Sequence, residues 1–391
     1  MIAVATAKQI INSLVKTGTI TERPILDATG YALAQTVLSP IQFPAFRQSS
    51  MDGFAIYFKE REKLLSIQEA LPAGTTKTLT IEKGKTIQVY TGSPVPDGAD
   101  CVVQKEWVNN NGTTIQIQTD HNIQPGDHIR ETGSDLEKGS ILITAGTVLY
   151  PAHIGLLASA GITKVGVIQK PSVAIVITGN ELQQPGEPLQ FGKVYNSNAF
   201  AIQAHLKKMG IEQMVIRYVN DNLADTHKTI AALIEQYDLL IITGGVSVGD
   251  FDFVPFACKK AGITEQFHKV KQRPGKPLFF GTRQNKPVFG LPGNPAAVLS
   301  CLYQYVIPAI DQMCGICSIT TVTARLTSSF NKTIPLTQFL KGYVEKGEVT
   351  ILPAQASYQL SALGSANCWI ELEEAWTTVA AQQEVKIYLF I

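Results

Sequence analysis

Between Ser172 and Cys317 the chain alternates short, uninterrupted apolar runs with helix-periodic ones, and this alternation constrains the fold more than any other feature. Val173-Ala-Ile-Val-Ile177 carries no polar residue, and Asn198 to Met209 then places Ile202, Leu206 and Met209 on one helical face. Met214 to Tyr218 reads as a second strand, Leu223 to Tyr237 as a helix, and Leu239 to Ile242 as a third strand. A further helix is expected from Phe253 to Ala261. Strands that are apolar on both faces, separated by amphipathic helices, predict a parallel sheet covered on its two sides. The fold class expected is therefore multidomain α/β, with residues 169–317 as the α/β domain.

The flanks have a different texture. Ile10, Ile11, Leu14 and Val15 fall at helical spacing, and a second helix is expected from about Pro24 to Leu38, with Pro24 in its first turn. From Ile41 to Ile143, short β-rich runs such as Gly53-Phe-Ala-Ile-Tyr57 and Thr114-Ile-Gln-Ile-Gln118 alternate with Gly, Pro and Asn turns. Pro151 to Ser159 reads as a helix closed by Gly161. Residues 318–391 return to short β runs and are expected to form a small β-barrel. The segments are thus 1–39 with 140–168, elongated and helix-containing; 40–139, mostly β; 169–317; and 318–391.

Composition narrows the function classes. Net charge is +1, with no Lys/Arg block, which argues against nucleic acid or an anionic membrane as main partner. Lys8 and Lys16 interrupt the place where a signal peptide needs its apolar core, and no apolar run reaches spanning length, so the expected location is the cytoplasm. Cys314-Gly-Ile-Cys317 has a metal spacing but lacks the second pair or the histidines that zinc requires.

In open α/β sheets ligands bind beyond the carboxyl ends of the strands. Thr243-Gly-Gly-Val-Ser-Val-Gly-Asp-Phe-Asp252 comes directly after the strand Leu239 to Ile242. Its Gly244, Gly245 and Gly249 would let backbone N–H groups approach a ligand closely, while Asp250 and Asp252 set two carboxylates before a helix. Read structurally, Asp252 is a helix N-cap, which leaves Asp250 and Ser247 without a reason. In Arg273-Pro-Gly-Lys-Pro277, prolines hold Lys276 on a restricted backbone, suited to a phosphate or oxyanion. Pro292, Gly293, Asn294 and Pro295 join the strand Val288 to Leu291 to a helix whose N-terminus would face an anion. Glu181 in Thr178-Gly-Asn-Glu-Leu182, Asp221, and the cap sequence Asn196-Ser-Asn198 complete the rim. Each loop is expected to leave a strand at that end, and together they describe an anion site with carboxylates for a divalent metal.

At these residues the sequence resembles the molybdopterin molybdenumtransferase family, which includes bacterial molybdenum-insertion enzymes and the C-terminal part of gephyrin. TGNEL, GGVSVGDFD, RPGKPL and GLPGNP stand in the family's order and spacing. Upstream, Ser50-Met-Asp-Gly-Phe-Ala55 is similar to its SxMDGYA motif, and Tyr90-Thr-Gly-Ser-Pro-Val-Pro96 to its TGAxxP motif. Pro125-Gly-Asp-His-Ile-Arg130 with Gly133-Ser-Asp135 is similar to its PGxxIRxxGxD stretch, so the resemblance spans essentially the whole chain.

The resemblance implies an enzyme that inserts molybdate into adenylylated molybdopterin with Mg²⁺-dependent release of AMP. It implies a homodimer in which Asp52 and Thr91 of one subunit meet the α/β rim of the other. Catalytic roles fall on Asp52, Glu181, Asp221, Asp252 and Lys276, and metal ligation on Asp250 and Asp252. Substrate contacts fall on Thr91, Asn198, Gly244, Gly245, Ser247, Gly249, Pro292, Gly293, Asn294, Pro295 and Ser357. Contacts with the adenylyltransferase and with apo-molybdoenzymes are further implied. Ala297 departs from the LPGNPxS pattern, and Ala356 stands where a glycine commonly precedes the serine. The competing readings are the adenylyltransferase that makes the activated pterin, which lacks the motif around Asp52, and a pterin-binding scaffold without catalysis. Molybdate and tungstate are nearly the same size and charge, so the residues do not choose between them.

Overall fold

A computed structural model describes residues 1–246 and 253–390. The chain divides into two compact units, one of residues 1–34, 148–150 and 165–391, the other of residues 35–147 and 151–164.

The first unit is built on a six-stranded sheet. Its strands in chain order are β1 Val173–Thr178, β2 Met214–Val219, β3 Leu239–Thr243, β4 Thr264–His268, β5 Phe279–Arg283 and β6 Lys286–Leu291, arranged β2-β1-β3-β6-β5-β4. The first four in that order run parallel, as the apolar runs predict, whereas β5 is antiparallel to both β6 and β4. Alternate residues of the buried strands feed two cores. Val173, Ile175, Ile177, Leu239 and Ile241 pack with Ile202 and Leu206 of α1 (Ser197–Lys208). Ala174, Val176, Leu240 and Ile242 pack with Ile230 and Ile234 of α2 (Leu223–Gln236) and with Ala257 of α3 (Val254–Lys260). Sequence-local chemistry sets the helix starts, because Asn196 and Asn222 each accept a backbone N–H three residues on.

The helix that starts at Pro295 continues through a π-turn at Leu302–Val306 to Cys314, where Gly315 in the left-handed region ends it. Its first segment, Pro295–Cys301, is α4. Beyond it, strands Thr321–Leu326, Thr337–Glu345, Glu348–Ile351, Cys368–Leu372 and Glu384–Leu389 close on one another as the expected small barrel. Gln272–Arg273 adds to the barrel strand at Thr337–Gln338, so the loop that carries Lys276 departs from this ladder.

The helix expected from Pro24 to Leu38 does not form. Ile20–Pro24 is instead a strand paired with Lys164–Ile168, and Leu26–Ala28 is a single 3-10 turn. Gly30 adopts φ +77° and donates to Leu149 O at 2.7 Å, and Ala32 and Leu33 bridge to Val148 and Val167. Long-range pairing satisfies the backbone that a helix would have satisfied locally, and the Thr29-Gly30 step favours that outcome. The N-terminal helix runs from Val4 to Leu14.

In the second unit, six strands stand in the order Cys101–Gln104, Gly53–Ile56, Lys85–Val89, Leu65–Leu71, Thr114–Ile117, Val108–Asn110. Within this sheet only the Leu65–Leu71 and Lys85–Val89 pair is parallel. Phe54, Ile56, Val103 and Ile115 fill one side, and Ala55, Ile87, Val89 and Val102 the other. Pro151–Ser159 forms the expected helix, with Gly161 at φ +75° beyond its end.

Candidate active site

Register decides what the first unit presents at its rim. Thr178 is level with Val219, Ile177 with Thr243, and Thr243 with Leu291, so β1, β2, β3 and β6 end together. Phe279 pairs with Gly290, which brings the start of β5 to the same edge. The Arg273–Pro277 loop opens onto β5, as its place before Leu278-Phe-Phe280 predicts, and so is the exception to the expectation that each rim loop leaves a strand. It reaches the rim because β5 runs opposite to its neighbours.

The loops leaving this rim enclose a cavity of about 810 Å³. Its walls include Gly179, Glu181, Asp221, Gly244, Gly245, Asn198 and the run Pro292 to Pro295. Close approach of the loops after β1 and β3 requires glycine at position 244. Gly244 sits at φ +84°, and a Cβ there would lie 2.6 Å from Thr178 Oγ1 and 2.7 Å from Thr178 O. Gly293 in turn faces Gly244 Cα, 3.9 Å from where its own Cβ would stand. The Glu181 carboxylate folds over Gly179, with Oε2 2.8 Å from the position of a Cβ. Asp221 Oδ2 accepts from Asn180 N at 3.1 Å while Asn180 Oδ1 accepts from Asp221 N at 3.3 Å, locking the loops after β1 and β2 together. Asn198, buried in the first turn of α1, donates from Nδ2 to Gly293 O at 2.8 Å. An Asn at this point thus serves as a tie between loops as well as a cavity wall.

The expectation for the helix start at Pro295 needs correction. Pro295 has no N–H, Ala296 N donates to Ser357 O at 3.1 Å, and Ala297 N and Val298 N both donate to Asn294 O at 3.0 Å. The first turn of α4 is already satisfied, so it has little to offer an anion. The exposed backbone of Gly293 and Asn294 lies ahead of it on the cavity wall. Ala297 is buried, so the missing hydroxyl falls inside the packing of α4.

Ser357 does reach the site. Its Oγ accepts from Asn294 Nδ2 at 3.1 Å, and the neighbouring Tyr358 and Leu360 line the cavity. Lys276 is exposed on the loop whose next residue, Pro277, also lines it. Sequence reasoning missed Tyr358 and Tyr195, both exposed aromatics on the wall. Tyr195 Oη donates to Glu187 O at 2.6 Å, which pins the ring beside the Asn196 cap. Its place directly before that cap was the available signal.

Ser247, Gly249, Asp250 and Asp252 lie outside the described residues. The residue flanking α3 on its N-terminal side is Phe253. Among the described residues no three His, Cys, Asp or Glu converge as a metal site. The hard carboxylate oxygens of Glu181 and Asp221 on the rim suit Mg²⁺ better than a softer ion, and further acids would be needed to complete a site.

Asp52 and Thr91 come together in the second unit. Asp52 Oδ1 accepts from Thr91 N at 2.9 Å and from Thr91 Oγ1 at 3.0 Å, with Lys105 Nζ 3.7 Å from Oδ2. The Thr91 backbone N–H, then its hydroxyl and the Lys105 charge, hold the Asp52 carboxyl below the usual carboxylate range. Gly53 next to it is obligatory, because a Cβ there would lie 2.0 Å from Val103 O.

Comparison with known proteins agrees with these features. Residues 2–161 match the family described as MoeA N-terminal region (domain I and II). Residues 174–312 match a probable molybdopterin binding domain, and 323–390 the MoeA C-terminal region (domain IV). A relative from Haemophilus influenzae, named molybdopterin molybdenumtransferase, is 33% identical over 93% of this chain and 92% of its own. One of the same name from Bacillus subtilis is 32% identical over 87% and 83%. The solved structure of a molybdopterin biosynthesis protein from Pyrococcus horikosii superposes with TM-score 0.87 at 26% identity, covering 100% of this chain and 99% of that one. With the Thr178–Leu182, Gly244–Gly245 and Pro292–Pro295 segments on one rim and its likeness running over most of its length, this chain belongs to the molybdopterin molybdenumtransferase family.

Proposed function

We propose that the protein inserts molybdate into adenylylated molybdopterin and releases AMP, yielding molybdenum cofactor. The observation that carries this reading is the cavity of about 810 Å³ at which Glu181, Asp221, Asn198, Gly244, Gly245 and Pro292 to Pro295 meet. A small dianion bound there is recognised by backbone N–H groups and by the Lys276 ammonium. Exchange of its oxygens for two thiolates needs protons on the departing oxygens, which Glu181 and Asp221 are placed to carry. Tyr195 and Tyr358 offer flat faces to a pterin ring.

Mg²⁺ belongs to the same proposal, held by Asp250 and Asp252 with the rim carboxylates. When bound it supplies positive charge against the phosphates of the departing adenylate. Completion of the site by Asp52 and Thr91 of the partner subunit in a homodimer, a cytoplasmic location, and the division into four segments are further parts of this reading. Among the described residues no helix is long and apolar enough to cross a membrane.

The test is to incubate the protein with adenylylated molybdopterin, Mg²⁺ and either molybdate or tungstate. AMP release accompanied by reconstitution of an apo-molybdoenzyme is the expected result. Pterin binding without AMP release would favour a scaffold instead.

A further inference from the structure

The loop carrying Lys276 rests on a buried polar bridge that has no counterpart in the mechanism so far. Gln272 is fully buried, and its Nε2 donates to Pro274 O and to Gly275 O, both at 3.2 Å, with Cys301 Sγ 3.5 Å away. Its Oε1 accepts the phenolic hydrogen bond of Tyr305, itself 1% exposed. The amide can face only one way, because carbonyls accept and cannot donate. Gly275 is pressed onto this bridge at φ +91°, where a Cβ would lie 2.5 Å from Cys301 Sγ and 2.7 Å from Gln272 Nε2.

Tyr305 lies in the π-turn Leu302–Val306. One extra residue in a helical turn rotates the downstream side chains by about 100° relative to a regular helix, which re-aims them at that point. The same continuous helix begins at Pro295, on the cavity wall. Two loops of the site are therefore tied to one rigid element, one through its N-terminus and one through the Tyr305–Gln272 bridge. Burying an amide and a phenol without solvent is costly unless both are hydrogen-bonded, and here both are.

We propose that Gln272 and Tyr305 are positioning residues that fix the Arg273–Lys276 loop, and through it the Lys276 ammonium, against the anionic substrate. This rests on the functional reading above, in which Lys276 contacts a phosphate or oxyanion.

The test is a double-mutant cycle read as kcat/KM for AMP release. Gln272→Leu removes both ends of the bridge at similar volume, and Tyr305→Phe removes only the hydroxyl. Each is expected to lower kcat/KM about tenfold in the wild-type background and less than about twofold in a Lys276→Ala background, because coupled residues lose their effect together. KM and kcat are resolved separately in each case. Equal falls in both backgrounds, with wild-type turnover intact, would overturn the positioning role alone. If Gln272→Leu does not fold, as judged by near-ultraviolet circular dichroism, Tyr305→Phe carries the cycle. Absence of AMP release by the wild-type chain would instead overturn the functional reading, and this proposal with it.

Discussion

Asn294 Nδ2 donates to Ser357 Oγ at 3.1 Å, while Ser357 O takes the N–H of Ala296 at 3.1 Å. One residue beyond the first barrel strands thus closes the Pro292–Pro295 loop from above. Ser357→Ala keeps the backbone half of this clamp and loses the side-chain half. One net hydrogen bond is worth about 0.5–1.5 kcal/mol, so KM for the oxyanion is expected to rise about two- to tenfold with little change in melting temperature. Steady-state kinetics beside calorimetry checks this, and an unchanged KM would remove Ser357 from the site.

Gly244→Ala forces a Cβ to within 2.6 Å of Thr178 Oγ1 at φ +84°. Gly84→Ala is the control, since its φ of +74° is similar but nothing lies within 4 Å. The control should cost about 1 kcal/mol of stability and Gly244→Ala clearly more, with loss of turnover as the loops after β1 and β3 separate. Denaturant melts of both variants decide it, equal losses counting against the close approach.

Asp252→Ala is expected to reduce AMP release by orders of magnitude while leaving the melting temperature unchanged. If Asp252 served only as an N-cap, its removal would cost roughly 0.5–2 kcal/mol of stability and leave turnover nearly unchanged. A lowered melting temperature with wild-type turnover would mean that Asp252 is structural.

Thr91→Val deletes one of the two donors that Asp52 accepts, leaving the backbone N–H. The Asp52 pKa should rise toward, without reaching, its ordinary value of 3.8. The sign comes from the folded-state depression. The bond stabilises the fold above pH 3.8 and its contribution is lost as pH falls through the lower folded value, so the variant's deficit should vanish in acid. Carboxyl carbon NMR titration of Asp52 measures it; an unmoved pKa would exclude the hydroxyl as a donor.

A shared site predicts a particle of twice the chain's 42.4 kDa by light scattering. It also predicts that Asp52→Asn and Glu181→Gln, each inactive alone, recover turnover when co-refolded, because a mixed dimer holds one intact site. Failure of complementation in a proven mixed dimer would mean that Asp52 and Glu181 do not meet across the two subunits.

Local chemistry was legible in the residues themselves. Uninterrupted apolar runs specified strands buried on both faces, and Asn196 and Asn222 marked helix starts that the structure keeps. The glycines and prolines of the rim loops announced close approach of one backbone to another. Strand direction and partner were not legible, because periodicity reports how a side chain is buried and not which distant backbone completes its hydrogen bonds. For that reason Pro24–Leu38, apolar enough for a helix, instead pairs with strands far along the chain. For the same reason the Lys276 loop joins the rim through a reversed strand, and the N–H groups of α4 are taken by Asn294 and Ser357. The sequence determined which residues the rim loops carry; long-range hydrogen bonding decided which of them meet, and which backbone groups are left for a ligand.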